Sequence, residues 1–153
     1  MLLYCCWAAN VFGNFDDALF DRARRFSQAW ADNVVIKLRD ARTWMKQTGC
    51  STEPMPTEDC MRLRDKVKSV EFAAEKMQQE VLESMTPVRD SPAEDLERVI
   101  AGVDSNLGRY LECTGIRRSG DVQKKLSIIV CAAFPDADPM HVAETLNSTA
   151  RNY

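Results

Sequence analysis

His141 is the only histidine among the 153 residues, which excludes a mechanism that needs two imidazoles and any zinc site built on a His pair. The adjacent carboxylates Asp16-Asp17, Glu58-Asp59 and Glu94-Asp95 are the residue type that shares general acid and base work. Each pair falls where a first helical turn is expected, so capping and compensation of the helix dipole account for them without catalysis. Cys5, Cys6 and Cys113 would be nucleophiles if a nearby cation lowered a thiol pKa. No general base stands at a readable spacing from any of them. No G-x-x-x-x-G-K-[ST] or G-x-G-x-x-G stretch exists to cradle a phosphate. The expectation is therefore a protein that is not an enzyme, with no catalytic residue, no cofactor and no metal.

The six cysteines form no C-x-x-C ligand pattern. Cys50 and Cys60 flank a loop containing Pro54 and Pro56, which a disulfide would staple; the other reading is a set of buried free thiols. Asn147-Ser148-Thr149 is a glycosylation acceptor only if the chain is secreted, so the compartment stays open. The 20 basic and 23 acidic residues give a net charge of −3 and are mixed along the chain. Arg22, Arg24, Arg25, Arg117, Arg118, Lys124 and Lys125 are interrupted by acids, a poor footprint for nucleic acid, and none is expected as a partner.

Long helices must position whatever the chain does use. From Asn14 to Gly49 the residues Phe15, Leu19, Ala23, Phe26, Trp30, Val34, Leu38, Ala41 and Met45 step by three or four, one stripe on a helix roughly 50 Å long. Asn33 to Ile36, with three β-branched residues, is the expected kink. Thr57-Glu58-Asp59 opens a second helix with Leu63, Val67, Val70, Ala74, Met77, Val81 and Met85 facing the first. Its Arg62, Arg64, Lys66, Lys68, Glu71, Glu75, Lys76, Glu80 and Glu83 form a solvated face. Ser91-Pro92-Ala93-Glu94 starts a third helix with Leu96, Ile100, Val103, Leu107 and Tyr110 buried; Gly102 and Gly108 permit a close approach or a bend. Asp121 caps a fourth, closed by Phe134-Pro135, and Asp138-Pro139 opens a short fifth. The fold class is all-α: a bundle of four to five helices with one long N-terminal helix, spanning 14–153 as a single domain.

Residues 1–13 form an apolar N-terminal arm, too short for a membrane span. Such an arm packs on its own bundle or on another subunit, and Leu3, Tyr4, Trp7 and Phe12 are its expected partner-binding residues.

The segment 122–152 resembles the first two helices of a CUE domain, a ubiquitin-binding fold. Leu126, Ile129 and Val130, then Phe134-Pro135, then Asp138, Val142 and Leu146 carry the resemblance. It implies ubiquitin contacts at Ala133, Phe134, Pro135 and Leu146. Ala133 replaces the larger apolar residue usual before Phe-Pro, and no third helix follows. Three functions remain: a non-catalytic interaction or scaffold subunit of a larger assembly, binding other protein chains as a homo- or hetero-oligomer; a ubiquitin-binding adaptor; or a secreted, disulfide-stapled bundle acting as an apolar-ligand carrier or cytokine-like factor.

Overall fold

Glycines and prolines set the helix ends. A computed structural model describes residues 1–49, 56–87 and 95–148; these form six helices and, among the described residues, no strand. They are α1 (Leu2–Val11), α2 (residues 17–47), α3 (Thr57–Ser84), α4 (Leu96–Thr114), α5 (Gly120–Ala133) and α6 (Pro139–Ser148). The chain is all-α as expected, but with six helices, and the long helix comes second because the apolar N-terminal stretch is itself helical. Gly49 and Gly115, both at positive φ, end α2 and α4. Ala133 is the last residue of α5, just before Phe134-Pro135, and Asp138 caps α6 by accepting from the Met140 N–H at 3.0 Å.

Three caps differ from expectation. Asp16, not Asn14, caps α2, its Oδ1 accepting from the Leu19 N–H at 2.7 Å. Asp95 caps α4 through the N–H groups of Glu97 and Arg98, so α4 begins at Leu96; Ser91 to Glu94 lie outside the described residues. Ser119 rather than Asp121 caps α5. Each cap sits one residue before the first helical one, and Asp95 and Ser119 do so where the chain is extended.

The described residues sort into two compact units, one from 1–20 and 85–153, the other from 21–84. In the first, α1 is apolar on every side and is accordingly buried: Tyr4, Cys5, Cys6, Ala8 and Ala9 are all core. It lies against α4, where a β-carbon on Gly102 would come within 3.5 Å of the Ala9 β-carbon. That is an ordinary contact, so the approach of α1 does not itself require a glycine there. Asn106 joins the pieces, accepting from the Phe15 N–H at 3.0 Å and donating to the carbonyls of Cys5 and Gly13. Two residues before Asn106, buried Asp104 pairs with Arg118 at 2.6 Å. Arg118 also donates to the Leu146 carbonyl of α6.

The second unit is a hairpin of α2, from Asp21 onward, and α3. Where a kink was expected, Ala31–Val35 forms a π-helical turn closed by the Ile36 N–H on the Ala31 carbonyl. A π turn holds one extra residue, so the inward face advances by one position. Ala23 and Ser27 are inward before it and Val35 after it, while Ala41 of the expected stripe is exposed.

Candidate functional site

The hairpin is held by polar contacts, and these determine which face of α3 turns outward. Trp30 Nε1 donates to the Ala74 carbonyl at 3.0 Å, and Gln78 donates to the carbonyl and hydroxyl of Ser27. Glu71 accepts from Arg39 and Arg42, and Arg39 reaches Glu75 as well. The Arg42 hydrogen bond, with that of Arg39 beside it, holds the Glu71 carboxyl below the usual carboxylate range.

Two expectations are corrected here. Glu71 was expected on the solvated face and is instead 6% exposed. The buried residues of α3 are Cys60, Glu71, Ala74, Gln78 and Leu82, so Ala74 alone of the apolar stripe from Leu63 to Met85 is buried, and the rest of the stripe is rotated away from α2. Leu63, Val70 and Met77 are 44, 53 and 51% exposed, while Val67 and Val81 are half-buried. Arg39 and Arg42 demand a carboxylate opposite them, which outweighs burial of the best apolar stripe. That outward stripe of large apolar side chains is the candidate site.

The residues singled out from sequence are scattered. Leu3 is exposed, Trp7 and Phe12 are half-buried, and Tyr4 is core, its ring stacked on Phe15 and its hydroxyl 2.5 Å from Thr86 Oγ1. Ala133 and Pro135 are exposed and Phe134 is half-buried, whereas Leu146 is fully buried. Tyr4 and Leu146 are therefore withdrawn from any partner-facing surface. The sequence reading also missed Arg39, Arg42 and Asn106. The i, i+3 arginines opposite Glu71 and Glu75 were a readable signal; Asn106 left none.

Other chemistry is sparse. Burial pushes the Cys5 thiol up to about 12 and that of Cys6 up to about 11, the opposite of activation. Cys113 is exposed and Cys131 half-buried, both as free thiols. Cys60 is disulfide-bonded, and Cys50, the other half of the expected staple, lies outside the described residues. Among the described residues no three His, Cys, Asp or Glu side chains gather as a metal site, and no helix is long and apolar enough to cross a membrane. A cleft of about 420 Å³ opens between α1 and α4, lined by Ala9, Gly13, Asn14, Arg98, Ala101 and Gly102.

No curated protein and no solved structure matches this chain. A family model does match residues 1–82, which takes in α1, α2 and α3 as far as Leu82, and so includes Leu63, Val70 and Met77. The chain belongs to that family, described as "Protein of unknown function (DUF2390)".

Proposed function

We propose that this is a non-catalytic helical protein that works by contact with other protein chains, as a subunit or scaffold of a larger assembly. One observation carries the reading: Leu63, Val70 and Met77 recur at seven-residue steps along one side of α3 and are about half exposed. A straight row of large apolar side chains on a helix is how one helix presents itself to another. The test is chemical cross-linking of the full chain in its native cells, with cross-linked peptides mapped by mass spectrometry. The reading expects links from the lysines of α3 to a second chain. Recovery of the protein only as an unlinked monomer overturns it.

A second reading, the disulfide-stapled secreted bundle, is favoured by the disulfide at Cys60. A thiol count on the denatured, non-reduced protein decides it. Four free thiols, matching Cys5, Cys6, Cys113 and Cys131, support it and six overturn it. The ubiquitin-adaptor reading keeps Ala133, Phe134 and Pro135 but loses Leu146 to the core, and no contact in the structure favours it.

A further inference from the structure

We infer that the outward stripe of α3 is an antiparallel coiled-coil seam whose occupant is α3 of a second copy of this chain. The inference rests on the interaction reading above and names its partner. Leu63, Val67, Val70, Ala74, Met77 and Val81 alternate steps of four and three. That is a strict heptad, with Val67, Ala74 and Val81 at a and Leu63, Val70 and Met77 at d. A repeat of 3.5 residues belongs to a helix that winds around another helix. Within its own chain α3 meets α2 through Glu71, Gln78 and one seam residue, Ala74, which is buried and whose carbonyl accepts from Trp30 Nε1, while Leu63, Val70 and Met77 stay outward.

Those two residues occupy e positions, as does half-buried Arg64. One flank of the seam is thus already covered by α2, which leaves the g flank for a partner: Asp59, Lys66, Ala73 and Glu80, all exposed. A parallel pair sets g against e of the other helix, and e is covered. An antiparallel pair sets g against g. In that direction a single register pairs the exposed and half-buried residues of the seam. Leu63 meets half-buried Val81 of the second copy and half-buried Val67 meets Met77, each contact occurring twice, while Val70 falls at the level of Ala74, which α2 already covers. The same register brings Lys66 near Glu80 of the second copy, and Glu80 near its Lys66, with Ala73 close to the twofold axis. The charges are complementary without any adjustment. Glu80 now makes an i, i+4 pair with Lys76 at 3.7 Å in which both side chains are more than half exposed, a contact weak enough to exchange. Exposed Phe72 lies on the opposite side of α3 and takes no part.

The test is sedimentation equilibrium on the full chain, with circular dichroism to check that each variant is folded. Val70 and Lys66 are exposed, so their replacement leaves the hairpin intact. The wild-type chain is expected to dimerise and Val70→Glu to be monomeric. Lys66→Glu and Glu80→Lys should each weaken the dimer, the double variant should recover it, and Phe72→Glu should behave as wild type. Recovery in the double variant supports the antiparallel register, because a parallel pair never joins these two positions. A dimer that survives Val70→Glu, or a double variant no better than its singles, overturns the inference. So does a monomeric wild type that binds a different defined protein through Val70, and that outcome leaves the interaction reading standing.

Discussion

The Nε of Arg42 donates to Oε2 of Glu71 across the α2–α3 hairpin, while Arg39 donates to Oε1 of the same carboxylate at 2.9 Å. With both oxygens occupied and its side chain only 8% exposed, Glu71 folds as a carboxylate. Its folded pKa lies below the unfolded value of about 4.3. Its contribution is therefore complete above that value and is lost as pH falls through the folded one. Glu71→Gln should cost about 1 kcal/mol near neutral pH. In urea melts at stepped pH the gap between wild type and variant should hold down to about pH 5 and close on further acidification; a gap that widens in acid contradicts the assignment.

Asn106 should be the most sensitive polar residue of the first unit. Asn106→Ala leaves the Phe15 N–H without its acceptor and the Cys5 and Gly13 carbonyls without this donor. The groups are buried or partly so, and a loss of about 2–3 kcal/mol is expected from unpaired groups of this kind. Asn106→Asp keeps the acceptor and removes the donor, so it should fail as well. A urea midpoint unchanged in both variants would show that α1 docks by apolar packing alone.

The two glycines inside α4 should respond with opposite sign. At Gly108 a new β-carbon would sit 3.0 Å from Arg118 Nη2, and that guanidinium is tied to Asp104 and to the Leu146 carbonyl. Gly108→Ala should therefore lower the melting temperature despite a helix-propensity gain of about 1 kcal/mol. At Gly102 the nearest atom is Oδ1 of exposed Asn14 at 3.2 Å, which can swing aside, so Gly102→Ala should be neutral or stabilising. Thermal melts of the pair read both signs.

How legible this was in the sequence varied with the physics involved. Periodicity identified every helix but α1, and Gly49, Gly115, Phe134-Pro135 and Asp138-Pro139 marked ends where the structure has them, because these are local backbone effects. Caps slipped by a few positions, since Asn14 and Asp16, or Ser119 and Asp121, are equally competent by type. The inward face of α3 was misread for a different reason: the pull of Arg39 and Arg42 on Glu71 acts between helices, and no window of α3 contains it. The π turn shifted the face of α2 in the same hidden way, although the β-branched residues at 34–36 marked its place. Six helices were found where four or five were expected because α1, apolar all round, has no stripe to detect.

Thiol labelling should separate the cysteines cleanly. With pKa values near 12 and 11 and buried side chains, Cys5 and Cys6 hold almost no thiolate at pH 8, while exposed Cys113 is accessible to reagent. Iodoacetamide on the native protein, followed by peptide mapping, should modify Cys113 first and leave the twin cysteines until denaturant is added. Early labelling of Cys5 or Cys6 would mean that α1 undocks under native conditions.

Removal of residues 1–12 asks whether α1 is core or a partner-facing arm. In the structure it supplies Tyr4, Cys5, Cys6, Ala8 and Ala9 to the interior of the first unit, beside Phe15, Ile100, Val103 and Leu107. Deletion strips that interior of its largest fully buried side chain, Tyr4, and exposes the small-residue face of α4 around Gly102. Burying one such aromatic is worth several kcal/mol, a large fraction of the 5–15 kcal/mol that holds a typical domain together. The truncated chain should therefore lose much of the helical circular dichroism contributed by α4 to α6, whether or not the full chain self-associates. Val70→Glu should do the reverse, keeping the helicity and removing the association. If the truncation instead keeps its helicity and loses only association, the partner surface lies on Leu3, Trp7 and Phe12, and α3 is not the seam.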